Sequence, residues 1–113
     1  MTVPLRRLLF ALFVAGCRAP EEPVRLGLAG PFGDAVGRPM RLAALLAVEE
    51  INAAGGIEGR SVELVAADDF GDPDSAVVVA ARLVSQGVTA VVGHVYSGTT
   101  LAAAPVYGAG PDP

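Results

Sequence analysis

The sequence predicts an α/β fold built on a parallel sheet, and three observations carry that prediction. Short runs rich in valine, leucine and alanine recur at residues 24–29, 61–67 and 88–92, each of strand length. Segments with apolar residues at helical spacing lie between and after them. Turn-forming Gly30-Pro31, Gly55-Gly56, Gly87 and Gly93 punctuate the changes of period. The resulting order is β-α-β-α-β-α, in which strands alternate with crossover helices.

Each element has a local cause. Residues 24–29 mix β-branched and aliphatic side chains before Gly30-Pro31, the pattern of a short buried strand. A first helix is expected from Pro39, whose fixed φ suits a first helical position. It carries Met40, Leu42, Leu45, Leu46, Val48 and Ile51 on its apolar side and Arg41, Glu49, Glu50 and Asn52 on its polar side. Residues 61–67, between Gly59 and Asp68-Asp69, read as the second strand. Asp72-Pro73 supplies an N-cap and a first helical residue, and the periodic Val77, Ala80, Ala81 and Val84 run to Gly87. Residues 88–92 are nearly all apolar, as for a strand covered by helices on both faces. A third helix is expected over 101–106, opened by Ser97-Gly98-Thr99-Thr100. Three strands make an incomplete sheet, and 108–113 are turn-rich where a further strand is expected, which reads as a fragment.

Composition narrows the function classes. With 113 residues, 52% of them hydrophobic, the chain suits one small domain with a core and not a disordered polymer. The net charge is −4 and the eight basic residues, all arginine, are scattered, so a nucleic acid is not an expected partner. One cysteine and one histidine supply neither an intramolecular disulfide nor a zinc site. No cofactor or metal is expected.

The first residues read as an address. Arg6 and Arg7 precede nine uncharged, mostly apolar residues, 8–16, which span about 14 Å as a helix against roughly 30 Å of hydrocarbon. That is a signal-peptide core and not a membrane span. Its end, Val14-Ala15-Gly16-Cys17, resembles the lipobox of bacterial lipoproteins. The resemblance implies cleavage after residue 16 and lipidation of Cys17, whose two or more acyl chains anchor stably where one does not. Residues 17–23, with two prolines and two glutamates, are expected to form an exposed tether.

Ligands of open α/β sheets bind beyond the carboxyl ends of the strands, which directs attention to 30–37, 68–72 and 93–100. In the third segment the hydroxyls of Ser97, Thr99 and Thr100 lie at an expected helix start, where free N–H groups favour an anion such as a carboxylate. Gly98 leaves the backbone open to it. The same residues also suit simple capping by Ser97 or Thr99. Asp68, Asp69 and Asp72 do not match a calcium loop. Asp72 is expected as a cap and the other two as solvated carboxylates. Gly27, Gly30 and Gly33 miss the second glycine of the dinucleotide fingerprint. His94 has no nucleophile arrangement around it and is expected to be held by local hydrogen bonds.

Several segments together resemble one family. These are Gly27-Leu28-Ala29-Gly30-Pro31, the stretch Ala47-Val48-Glu49-Glu50-Ile51-Asn52-Ala53-Ala54-Gly55-Gly56-Ile57, Asp68-Asp69 with Gly71-Asp72-Pro73, and Val91-Val92-Gly93-His94 with Ser97. They are similar to the leucine/isoleucine/valine-binding proteins, the extracytoplasmic substrate-binding components of branched-chain amino acid ABC transporters. The resemblance implies a two-lobed periplasmic binding protein whose Rossmann-like lobes close on a ligand by a hinge. Residues 24–113 would be part of its N-terminal lobe, and binding, not catalysis, would be the activity.

By the same resemblance Ser97 is expected to contact an amino acid's α-carboxylate, with amides near Gly98 and Thr99 completing a neutral receptor and Thr100 in the same turn. The implied partners are a small amino acid-like ligand and a membrane ABC permease, with the protein exported and lipid-anchored. Val36 stands where the family usually has an aromatic residue before a glycine. The second lobe, with its ammonium-binding acid, is not represented, so weak binding or none is expected of these residues alone. Two other readings are a ligand-sensing domain of the same fold and a Rossmann-like nucleotide-binding enzyme fragment. The export signal and the broken fingerprint disfavour the second of these.

Overall fold

The first strand in the sequence lies at the centre of the sheet. The computed structural model describes residues 21–109, in which β1 (Val24–Gly30) is flanked by β2 (Val62–Asp68) and β3 (Ala90–Val92) in the order β2-β1-β3. Both pairings are parallel, with Leu28 opposite Ala66 on one side and Val92 on the other. The last four residues of β1 are buried, Leu28 and Ala29 completely. Because β2 and β3 lie on opposite sides of β1, right-handed crossovers put α1 (Gly37–Ala53) and α2 (Pro73–Ser85) on opposite faces.

Side chains alternate accordingly. Ala29 and Ala67 face α2, where they join Val79 and Leu83 in one core cluster with Val65, Val88 and Val91 against it. A second cluster of small residues, Ala76, Ala80 and Ala103, seats α3 (Ser97–Gly108) on α2. On the other face Met40 of α1 closes over Gly30, where an added Cβ would come within 2.6 Å of its terminal methyl. Asn52 ties the end of α1 to β2: its carboxamide accepts from Val62 N–H at 2.7 Å and donates to Val62 C=O at 2.9 Å.

The expected elements are all present, with shifted ends. Helix α1 begins at Gly37 rather than Pro39, because Asp34 Oδ1 accepts the N–H groups of Val36 and Gly37 and starts the turn earlier. Helix α2 begins at Pro73 as expected, with Asp72 Oδ2 capping Ser75 N–H at 2.8 Å. Helix α3 begins at Ser97 rather than Leu101, so the four residues read as its approach form its first turn. Strand β3 is shorter than expected and is an edge, with Val92 48% exposed, so helices do not cover it on both sides. The apolar side of α1 is likewise not fully buried: Leu42 is 63% exposed, and Leu45 and Leu46 are also exposed. Alone on its face of a three-stranded sheet, α1 presents more apolar surface than two adjoining strands cover.

The lipobox and Cys17 lie outside the described residues. At the end of the expected tether, Arg60 Nε donates to Glu22 C=O at 2.8 Å, holding residues 22–23 beside the start of β2. Among the described residues no helix is long and apolar enough to cross a membrane.

Candidate functional site

The three strands end at Gly30, Asp68 and Val92, and the loops that follow them are bonded into one rim. Asp68 Oδ1 accepts from Phe32 N–H at 3.2 Å and from Phe70 N–H at 2.9 Å, joining the first loop to the second. Asp69 N–H donates to Gly30 C=O at 3.2 Å. The Tyr96 hydroxyl donates to Asp34 Oδ2, and its ring lies against Gly71, joining the third loop to both others. Arg41 stacks its guanidinium 5.4 Å from the Phe32 ring centroid, which steadies the first loop from α1.

The third loop leads directly into the donor turn. Tyr96 is the N-cap of α3 and supplies no side-chain cap; its carbonyl instead accepts the Thr99 hydroxyl at 2.7 Å, the Thr100 hydroxyl at 3.0 Å and Thr100 N–H at 3.0 Å. Neither Ser97 nor Thr99 caps the helix, so the expectation of simple capping is overturned: the N-cap is Tyr96, one residue before Ser97 and three before Thr99. Thr99 is buried and Thr100 donates its hydroxyl also to His94 C=O at 3.1 Å. Among the described residues, the N–H groups of Ser97, Gly98 and Thr99 and the Ser97 hydroxyl make no hydrogen bond. Ser97 and Gly98 are exposed. Four donors at the positive end of a helix dipole have the chemistry that favours an anion.

Beneath that turn lies a feature that sequence reasoning missed. Asp69, expected to be solvated, is completely buried. Its Oδ1 accepts Gly71 N–H at 2.8 Å, and its Oδ2 lies 2.6 Å from His94 Nδ1. His94 Nε2 lies 3.0 Å from the Tyr107 hydroxyl. His94 is held by hydrogen bonds as expected, but its side-chain partners are 25 and 13 residues away rather than local. A carboxylate offers only acceptors, so Nδ1 donates to Asp69, while Nε2 and the Tyr107 hydroxyl pair with each other, which gives all three groups a partner. The signal available in the sequence was the pair Asp68-Asp69: alternation along β2 sends the first to the rim and the second inward.

Charge at the rim follows from these bonds. Gly37 N–H, then the Tyr96 hydroxyl, hold the Asp34 carboxyl below its usual 3.8, while the Asp34 bond holds the Tyr96 phenol above 10.0. Ser75, through its N–H first and its hydroxyl second, lowers Asp72. Burial, then the Asp69 charge, raises Tyr107. With Asp68, Asp69 and Asp72 each engaged by N–H groups or by His94, the three carboxylates do not converge on a common point, and among the described residues no cluster has the make-up of a metal site.

A parallel sheet with crossover helices, its strand-end loops joined in one rim, is the architecture of a Rossmann-like α/β lobe. The chain belongs to the periplasmic binding protein family, whose sequence model matches residues 24–110. It is 41% identical over 112 residues to a leucine-, isoleucine-, valine-, threonine- and alanine-binding protein of Pseudomonas aeruginosa, covering 94% of this chain and 30% of that protein. Among solved structures it resembles the branched-chain amino acid transporter substrate-binding protein LivJ of Streptococcus pneumoniae, in complex with isoleucine. That match has a TM-score of 0.69 and 36% identity, and covers 74% of this chain and 25% of the other. An ABC transporter substrate-binding protein of Desulfitobacterium hafniense in complex with leucine gives a TM-score of 0.68 and 35% identity, covering 77% and 26%. The chain thus spans between a quarter and a third of the length of these relatives.

Proposed function

We propose that these residues form part of the N-terminal lobe of an exported substrate-binding component of an ABC importer, and that its ligand is a branched-chain amino acid or a related small carboxylated solute. The observation that carries this reading is the set of free donors at the start of α3: the Ser97 hydroxyl and the amides of Ser97, Gly98 and Thr99. Thr100 braces the turn through its two accepting carbonyls. A neutral receptor of this kind suits a carboxylate that must be released again, because it binds with directed dipoles and without a fixed counter-charge. The names of the relatives support the choice of an amino acid. A membrane permease is the partner this role requires, and Cys17, lipidated after cleavage, is the anchor that would keep the protein beside it.

The test is a titration of the chain with L-leucine followed by amide NMR. Binding in the millimolar range is expected of these residues, which span between a quarter and a third of the relatives' length, with shifts confined to residues 97–99. Ser97→Ala should weaken it about tenfold, the weight of one hydrogen bond to a charged group. Equal affinity in the two proteins, or shifts elsewhere, would overturn the assignment. Radiolabelled palmitate incorporated by wild type and not by Cys17→Ser tests the anchor.

A further inference from the structure

Helix α3 carries the amides of Ser97, Gly98 and Thr99 and rests on α2 through Ala76, Ala80 and Ala103, with Val106 and Tyr107 packed against them. That packing seats α3 on α2 and not on the strand ends; directional bonds tie the helix to the strand ends, and they converge on one residue. His94 follows β3 directly and is 8% exposed. Its Nδ1 is tied to Asp69 just beyond β2, and Asp69 in turn is tied to Gly30 at the end of β1. Its Nε2 is tied to Tyr107 in the last turn of α3, while its own carbonyl receives Thr100 from the first turn. Both ends of one helix are thereby referred to the same residue.

We propose that His94 is the positioning residue of the donor turn: through Asp69 and Tyr107 its imidazole sets where the amides of Ser97, Gly98 and Thr99 point. The inference rests on the carboxylate-receptor reading of Ser97 and adds the group that aims it. His94 touches no ligand; it acts through α3. Nothing else within the rim bonds to both ends of α3, and the buried carboxylate beneath it has no other side-chain partner among the described residues.

Two substitutions separate positioning from space-filling. In His94→Asn the amide nitrogen stands near the place of Nδ1 and keeps the Asp69 bond; in His94→Gln it reaches toward the place of Nε2 and gives that bond up. Amide spectra and hydrogen exchange of the ligand-free chain, followed by L-leucine titration, are the readouts. His94→Asn, which gives up the Tyr107 bond, is expected to displace the resonances of residues 97–99. His94→Gln should displace them, speed their exchange, and weaken leucine about tenfold, as one lost hydrogen bond does. A space-filling role predicts instead that glutamine, which replaces more of the imidazole volume, matches wild type and asparagine does not. Tyr107→Phe, which removes a single oxygen, covers the case in which both variants unfold: it should displace the same three resonances.

Unmoved resonances in Tyr107→Phe, or glutamine matching wild type where asparagine does not, would overturn the proposal. If leucine moves no amide of the wild-type chain, the carboxylate reading falls by itself, and the ligand-free spectra still decide whether His94 sets the turn.

Discussion

The Tyr96 hydroxyl donates to Asp34 Oδ2 at 2.6 Å across 62 residues of sequence, and the same carboxylate starts α1 by accepting the N–H groups of Val36 and Gly37. Tyr96 in turn starts α3 by gathering Thr99 and Thr100 onto its carbonyl. The beginnings of two helices on different loops are therefore braced against each other by one acid and one phenol, beside the free donors of Ser97.

That brace sets a pH window. Asp34 is lowered in the folded chain, so its contribution is present above 3.8, the ordinary value, and is lost as pH falls through the still lower folded value. Tyr96 is raised, so its contribution is complete below 10.0 and is lost as pH rises through the higher folded value. The brace is thus intact across the neutral range and fails at both extremes. Asp34→Asn should bring the Tyr96 titration, followed by ring carbon NMR, down toward 10.0. An unchanged midpoint would mean that the bond does not form in solution.

Asp69 is the next point of leverage. It is buried beside His94 and satisfies Gly71 N–H as well, so Asp69→Ala leaves the buried His94 Nδ1 and the half-buried Gly71 N–H without their acceptor. Leaving a buried donor without its acceptor costs about 1–3 kcal/mol. Urea unfolding of the variant should show a loss of that size, whereas Asp72→Ala, which removes only an exposed cap, should cost about 1 kcal/mol. Similar losses in the two variants would contradict the buried network.

The contrast between these two aspartates shows what the sequence disclosed and what it withheld. Asp72 followed by Pro73 is a local signal, read within four residues, and the cap forms as expected. Strand identity and order of elements were equally local, because period and punctuation reside in short windows. Asp69 and His94 were misread or half-read because their partners come from other loops, which only the β2-β1-β3 order brings together. The exposed apolar side of α1 was illegible for a related reason: periodicity shows that a face is apolar, not how many strands lie beneath it. Ser97 was placed correctly at a helix start, but that Tyr96 and not Ser97 begins the helix, leaving the serine hydroxyl free, depends on backbone geometry.

Leu83 tests the core independently of the rim. It is completely buried against Ala29, Ala67 and Val79, between the helix and the sheet. Removing three buried carbons there should cost about 2–5 kcal/mol, as a transfer loss plus an unfilled cavity. Leu42→Ala on the exposed side of α1 should cost far less. Urea midpoints of the two variants are expected to differ accordingly, and a larger loss at Leu42 would place the core on the wrong face.

Two glycines that frame the donor turn should respond in opposite ways to the same substitution. Gly93 has φ +117, and a Cβ there would lie 2.0 Å from the carbonyl oxygen of Ala29, so alanine must displace the centre of the sheet. Gly93→Ala should therefore unfold or severely destabilise the chain. At Gly98 a Cβ would meet only Pro73 Cγ at 3.7 Å, an ordinary contact, and a helical alanine is favoured over glycine by up to about 1 kcal/mol. Gly98→Ala should fold at least as well as wild type. Its methyl would nevertheless stand among the amides of Ser97, Gly98 and Thr99, where a carboxylate must approach closely. Leucine titration of this variant should show binding lost while the urea midpoint is unchanged or raised. Leucine affinity undiminished in Gly98→Ala would mean that the ligand does not approach this turn, whatever else the chain binds.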